Sequence, residues 1–148
     1  EYTGRAIIQT YTPENPVITL ASKQNYDEFY NSEIKMRKAM LYPPFVDLCV
    51  ICFSGQKQDK IFNAANDFFN MLKRLASEDY RELPLRVLEP SSATIMKLNN
   101  KYRYKLILKF RNSKRFQEFI SRLLIWFEKE KRYSEISVYV DINPDMII

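Results

Sequence analysis

The sequence predicts an α+β domain, an antiparallel sheet with two helices on one face, entered through a short strand and a helical extension. Three observations predict it. From Phe45 onward the apolar residues switch between a period of two and a helical period, in the order β-α-β-β-α-β. The two helical segments each carry one broad apolar face. The extended segments are short, rich in Val, Ile, Phe and Tyr, and bounded by Gly, Pro or Asn. That order is the split βαβ, or ferredoxin-like, arrangement.

The first 44 residues hold no convincing core. Arg5 to Thr10 reads as a short strand, broken by Pro13 and Pro16. Pro16 opens a helical turn through Val17–Leu20. Asn25 is an N-cap for a helix from Tyr26 to about Leu41, stopped by Pro43 and Pro44. Glu33 and Arg37 on this helix have the i,i+4 spacing of an ion pair. Residues 1–44 are therefore read as an extension of something else, and residues 45–148 as the ferredoxin-like domain.

Within that domain, Phe45 to Ser54 is apolar on both faces except at Asp47, as a central strand is. Gln58 to about Ala76 is an amphipathic helix with Ile61, Phe62, Ala65, Phe68, Phe69, Leu72 and Leu75 facing inward. Leu85–Leu88 lies between two prolines, and Ala93–Leu98 is a second extended stretch. Asn99-Asn100 suits a hairpin turn, because Asn tolerates positive φ. Tyr102–Arg111 is a strand, Ser113 caps a helix to about Lys131, and Ile136–Ile142 is the last strand.

Composition removes several classes of function. With 46% hydrophobic and 28% charged residues the chain is globular. Its two glycines, Gly4 and Gly55, cannot build a phosphate-cradling glycine loop. There is no histidine, hence neither the commonest general base nor the commonest zinc ligand. Cys49 and Cys52 lie in an apolar strand, three apart and so on opposite faces, as buried thiols do. No signal peptide or membrane-length apolar stretch is visible, which makes the cytosol the default. The chain opens on Glu1 rather than Met and is expected to be a piece of a longer protein.

The net charge of +5 is weak evidence alone, but its distribution is not even. From Ala93 to Gln117 there are eight cations (Lys97, Lys101, Arg103, Lys105, Lys109, Arg111, Lys114 and Arg115) and no acid. Strand alternation puts Tyr102, Tyr104, Leu106, Leu108 and Phe110 on the core face, and Lys101, Arg103, Lys105, Lys109 and Arg111 on the outer one. Lys114 and Arg115 sit at a helix N-terminus, where cations oppose the helix dipole. Clustered Lys and Arg on one face is the footprint of phosphate binding; the bland alternative is a solvated face whose lysines discourage aggregation.

Several motifs in fixed order carry a resemblance. Ile7-Ile8-Gln9-Thr10-Tyr11-Thr12-Pro13, then Asp27, Phe29, Glu33 and Arg37, then Tyr42-Pro43-Pro44-Phe45, Val87-Leu88-Glu89-Pro90, Lys97-Leu98 with Lys101-Tyr102-Arg103-Tyr104, and Val140-Asp141-Ile142-Asn143-Pro144 resemble the closing part of the primosomal protein N′, or PriA, family. The likeness covers essentially the whole chain. It implies the C-terminal part of an ATP-dependent 3′–5′ superfamily 2 DNA helicase that recognises stalled replication forks and restarts replication. It implies a last domain resembling small-subunit ribosomal protein ten, and residues 1 to about 15 as the tail of the second helicase lobe. The ATPase motifs and the zinc-binding cysteines of the family have no counterpart in this chain; ATP, magnesium and zinc would serve the parent alone. The Gly4-Arg5-Ala6 triplet falls after the last helicase motif by its spacing, so Arg5 is not read as an ATP-contacting residue.

The leading reading is thus a binding module without catalysis or cofactor. Lys97, Lys101, Arg103, Lys105, Lys109, Arg111 and Lys114 would contact the phosphates of branched or single-stranded DNA. The resemblance further implies docking of the acidic, apolar C-terminal tail of single-stranded DNA-binding protein, for which Arg115 and Arg122 are the candidate grips, and contact with other primosome proteins. A monomer, cytoplasmic and associated with forks, is expected. The alternative is a pure protein-interaction module that docks that tail or the rest of the primosome without touching DNA.

Overall fold

The computed structural model describes Gly4 and residues 6–145, the side chains of Thr94 and Ile95 apart. It divides into two compact units, Glu1–Leu41 and Tyr42–Ile148.

The first unit is a pair of helices, α1 (Pro16–Ser22) and α2 (Tyr26–Met40). Asn15 caps α1 by accepting from the Val17 amide at 2.9 Å, with Pro16 in the first turn. Asn25 caps α2 reciprocally: its Oδ1 accepts from the Glu28 amide at 3.3 Å, and its Nδ2 donates to Glu28 Oε2 at 2.8 Å. Glu33 and Arg37 form the ion pair that their spacing predicts, at 2.8 Å. Leu41, left-handed at φ 55°, ends the helix before Tyr42-Pro43-Pro44. The strand expected at Arg5–Thr10 is not found: residues 6–10 have no regular structure, and Arg5 lies outside the described residues. A strand needs a neighbour for its amides and carbonyls. None pairs with this segment among the described residues, and Ile7 and Ile8 are exposed.

The second unit has the predicted ferredoxin-like order. Its elements are β1 (Asp47–Gly55), α3 (Gln58–Asp79), β2 (Arg86–Val87), β3 (Ser91–Leu98), β4 (Lys101–Phe110), α4 (Lys114–Lys129), a 3₁₀ turn (Lys131–Tyr133) and β5 (Ser137–Ile142). The sheet is antiparallel, with β1 between β4 and β5, and with β2 and β3 sharing the far edge of β4. Pro90, which has no amide to donate, separates β2 from β3. The Asn99-Asn100 turn closes the β3–β4 hairpin with both residues at positive φ, 49° and 60°.

The register sorts the faces. Cys49, Ile51 and Phe53 of β1 stand beside Leu108, Leu106 and Tyr104 of β4 and pack with Ile61, Phe68 and Leu72 of α3 and Phe116, Phe119, Leu123 and Phe127 of α4. Phe53, Phe68 and Phe127 meet as neighbouring rings, with centroids 5.3 to 5.8 Å apart. Phe62, expected inward, is 47% exposed. It follows Ile61 on the helix, and the buried positions 61, 64, 65, 68, 72 and 75 form a stripe that leaves residue 62 at its margin.

A clamp closes the sheet at its open end. Asn143 Nδ2 donates to Asp47 Oδ1 at 2.9 Å, while Asn143 Oδ1 accepts from the Leu48 amide at 2.8 Å. The Asn112 amide donates to the other Asp47 oxygen at 2.9 Å. These donors hold the Asp47 carboxyl below its ordinary value, Asn143 contributing most. Asp47 therefore ties the start of β1 to the segment before α4 and to the end of β5.

Candidate nucleic-acid interface

β4 places its odd-numbered residues on the face away from the helices, as alternation predicts: Lys105 lies beside Cys52 and Ser91, and Lys109 beside Leu48 and Arg86. Their exposure differs from expectation. Lys105 is only 8% exposed and Lys109 7%. β4 is an interior strand, so the lysine stems lie along neighbouring side chains instead of projecting into solvent. The Tyr42 ring lies 3.7 Å from Lys109 Nζ. Burial, and next the charge of Arg86, push the Lys109 ammonium below its usual pKa.

The reachable cations sit at the two ends of the strand. Lys101 is exposed at the hairpin; Arg111 and Lys114 are exposed where β4 turns into α4. Ten residues of strand separate Lys101 from Arg111, roughly 33 Å. Arg103 is half-buried and donates to Tyr139 Oη at 3.1 Å. Lys97 pairs in register with Tyr102, which turns it to the opposite face, and its Nζ lies 5.1 Å from that ring. Arg86 joins the Arg111 end because β2 pairs with β4 there. Sequence reading missed Arg86, whose place follows only from the register of a two-residue strand; the prolines at 84 and 90 were its sole signal.

Some of the basic residues are held in ion pairs. Arg37, Lys60, Arg115, Arg122 and Arg132 are bound to carboxylates of this chain. Arg86, Lys97, Lys101, Arg103, Arg111 and Lys114 take part in no ion pair among the described residues, as is also true of Lys57, Lys73, Arg74, Arg81, Lys129 and Lys131 elsewhere on the domain.

Arg115 and Arg122 converge on Tyr80, which is 1% exposed, with guanidinium carbons 4.1 and 5.6 Å from its ring. Arg115 pairs with Glu82 at 2.8 Å and Glu118 at 3.0 Å and donates to the Asp79 carbonyl at 2.9 Å; Arg122 pairs with Asp79 at 2.8 Å. They pin the end of α3 to α4. Glu82 and Glu118 raise the Arg115 pKa, and Arg115 lowers that of Glu82.

Neither cysteine offers a reactive thiol. Both are free and buried, and burial pushes Cys49 up to about 12. Among the described residues no group of three or more Cys, Asp or Glu could hold a metal ion. Among the described residues no helix is long and apolar enough to cross a membrane.

The fold and site together define an α+β domain with a ferredoxin-like sheet, whose strand β4 carries cations along its length and exposes them at its two ends. The family can be stated outright. The chain belongs to the family described as the primosomal protein N C-terminal domain, whose profile matches residues 38–145. Relatives named "Replication restart protein PriA" extend the match to nearly the whole chain: 27% identical over 148 residues in Bacillus subtilis (strain 168), 28% over 145 in Synechocystis sp., and 31% over 141 in Thermotoga maritima, covering 100%, 98% and 95% of this chain. The chain spans 18%, 16% and 17% of those proteins' lengths. Among solved structures, a de novo designed protein, Foldit4, aligns over 68% of this chain and 99% of its own at 13% identity, with a TM-score of 0.48.

Proposed function

We propose that this chain is the DNA- and partner-binding end of a replication-restart helicase, and that it holds the phosphates of branched or single-stranded DNA on Lys101, Arg103, Arg111, Lys114 and Arg86. The observation that carries the reading is the run from Ala93 to Gln117, which holds eight cations and no acid, and of which Lys101, Arg111 and Lys114 are exposed and in no ion pair among the described residues. Lys105 and Lys109 contribute field from beneath the surface rather than direct contacts. Such contacts carry no base information, so recognition is of DNA shape. On this reading ATP hydrolysis, magnesium and zinc belong to the rest of the protein, which acts in the cytoplasm at forks. Titration of a forked DNA with the wild-type chain and with the triple variant K101E/R111E/K114E tests it. The wild type should bind and the variant should not; equal affinity would remove the reading.

A second reading, a protein-docking module, is favoured by the first unit. Neither α1 nor α2 has a buried residue, and α2 exposes Tyr26, Tyr30, Met36 and Met40. Other primosome proteins are the partners it suggests. An acidic tail of single-stranded DNA-binding protein on Arg115 and Arg122 would have to displace Glu82 and Asp79. Binding of the tail peptide without binding of DNA would favour this reading.

A further inference from the structure

On the helix side of the β3–β4 hairpin, Gln58, Asp59, Phe62 and Tyr104 line an open cavity of about 530 Å³. Phe62 stands edge-on to Tyr104, with centroids 5.7 Å apart and planes at 65°. Gln58 Nε2 lies 3.5 Å from Tyr104 Oη and 3.9 Å from Met96 Sδ, which joins Met96, 43% exposed, to the same surface. Tyr102 is two residues from Tyr104 on the same strand face, with Lys97 over its ring. Lys101 follows directly at the hairpin turn.

The walls are aromatic; the polar groups are one amide, one carboxylate and the Tyr104 hydroxyl. A flat ring would stack on Phe62 or Tyr104. Its edge would meet Gln58, which both donates and accepts, and the Asp59 carboxylate, which accepts. Asp59 disfavours a phosphate inside the cavity, while Lys97 over the neighbouring Tyr102 ring and Lys101 at the hairpin turn favour one beyond it. Amino-bearing nucleobases match this arrangement, since Asp accepts from an exocyclic amine. Resting on the DNA-binding reading above, we propose that the Phe62–Tyr104 cavity holds an unpaired, amino-bearing nucleobase of single-stranded DNA whose flanking phosphates lie on Lys97 and Lys101. Stacking on aromatic side chains tolerates any base, and the Asp59 edge adds the preference for cytosine or adenine over thymine.

The test uses the whole chain and three probes of about twelve units: oligo(dC), oligo(dT) and an abasic deoxyribose-phosphate strand of equal length. Phe62→Leu keeps an apolar side chain and removes the ring; Lys101→Ala removes a phosphate contact. Thermal melting checks that each variant is folded, and Phe62→Tyr should restore binding. Phe62→Leu should weaken oligo(dC) roughly tenfold, leave the abasic strand unchanged and preserve the salt dependence. Lys101→Ala should weaken all three probes and flatten the salt dependence. Wild type should bind oligo(dC) more tightly than oligo(dT). If Phe62→Leu costs nothing on oligo(dC), or costs the same on the abasic strand, the base site is wrong and the phosphate reading stands. If the wild type binds none of the three, both fall.

Discussion

Salt dependence separates cations that touch phosphate from those that only stiffen the sheet. Lys101, Arg111 and Lys114 are exposed and outside the ion pairs of the described residues; Lys105 and Lys109 are 8% and 7% exposed. Each cation that displaces a condensed counterion from duplex DNA contributes about 0.9 to the slope of log affinity against log salt. Between about 50 and 200 mM salt this is roughly a 3.5-fold change per cation, or ~40-fold for three. The triple alanine variant K101A/R111A/K114A should therefore bind a fork more weakly at low salt, with a slope shallower by ~2.7. Lys105→Ala and Lys109→Ala should shift the melting temperature and leave the slope near that of the wild type, because their ammonium groups are covered. Fluorescence anisotropy across a salt series gives both numbers. A wild-type slope in the triple variant would refute the assignment of these residues, and a large slope change in Lys109→Ala would refute the distinction between exposed and covered lysines.

Other expectations follow from the packing. Asn143→Ala removes the bonds to Asp47 and to the Leu48 amide and places Ala at φ 51°; it should cost about 1–3 kcal/mol in a denaturant titration, with Asn143→Gly separating backbone strain from lost hydrogen bonds. Cys49 has a folded-state pKa raised from 9.0 to about 12. Its contribution to stability is complete below pH 9 and is lost as the pH rises toward 12. Cys49→Val should flatten that part of the alkaline decline, leaving the part from Tyr133, whose pKa burial and the 2.6 Å bond to Asp67 raise from 10.0 to about 12. Asp47, held low by its donors, should contribute stability above its ordinary pKa of 3.8 that is lost on acidification below it; Asp47→Asn should remove that acid limb. Arg115→Ala should speed amide exchange around Tyr80 without changing fork affinity, since its partners are within the chain.

The second unit was readable because its constraints are local. Alternation in Tyr102–Phe110 sorted that strand by face, Asn99-Asn100 marked the hairpin, and Ser113 marked the start of α4, where its side chain accepts from the Phe116 amide at 3.1 Å. Both thiols lie where the apolar run put them, on opposite sheet faces. What escaped depends on neighbours distant in sequence. The depth of Lys105 and Lys109 follows from strands pairing on both sides of β4 and from Tyr42, some 67 residues before Lys109. Arg86 joins the basic end only through the β2–β4 register. Arg115 reads as a free cation until Glu82 and Asp79 are brought to it across the α3–β2 connection. Phe62 reads as core because helical spacing cannot say where a buried stripe ends.

The central claim is that this domain binds branched DNA through its unpaired cations. Anisotropy titration of the wild-type chain on a forked DNA, a plain duplex and a single strand, each at two salt concentrations, tests it most directly. The account predicts salt-sensitive binding to all three, tightest for the fork. No binding to any of them, or binding that salt leaves unchanged, would contradict it.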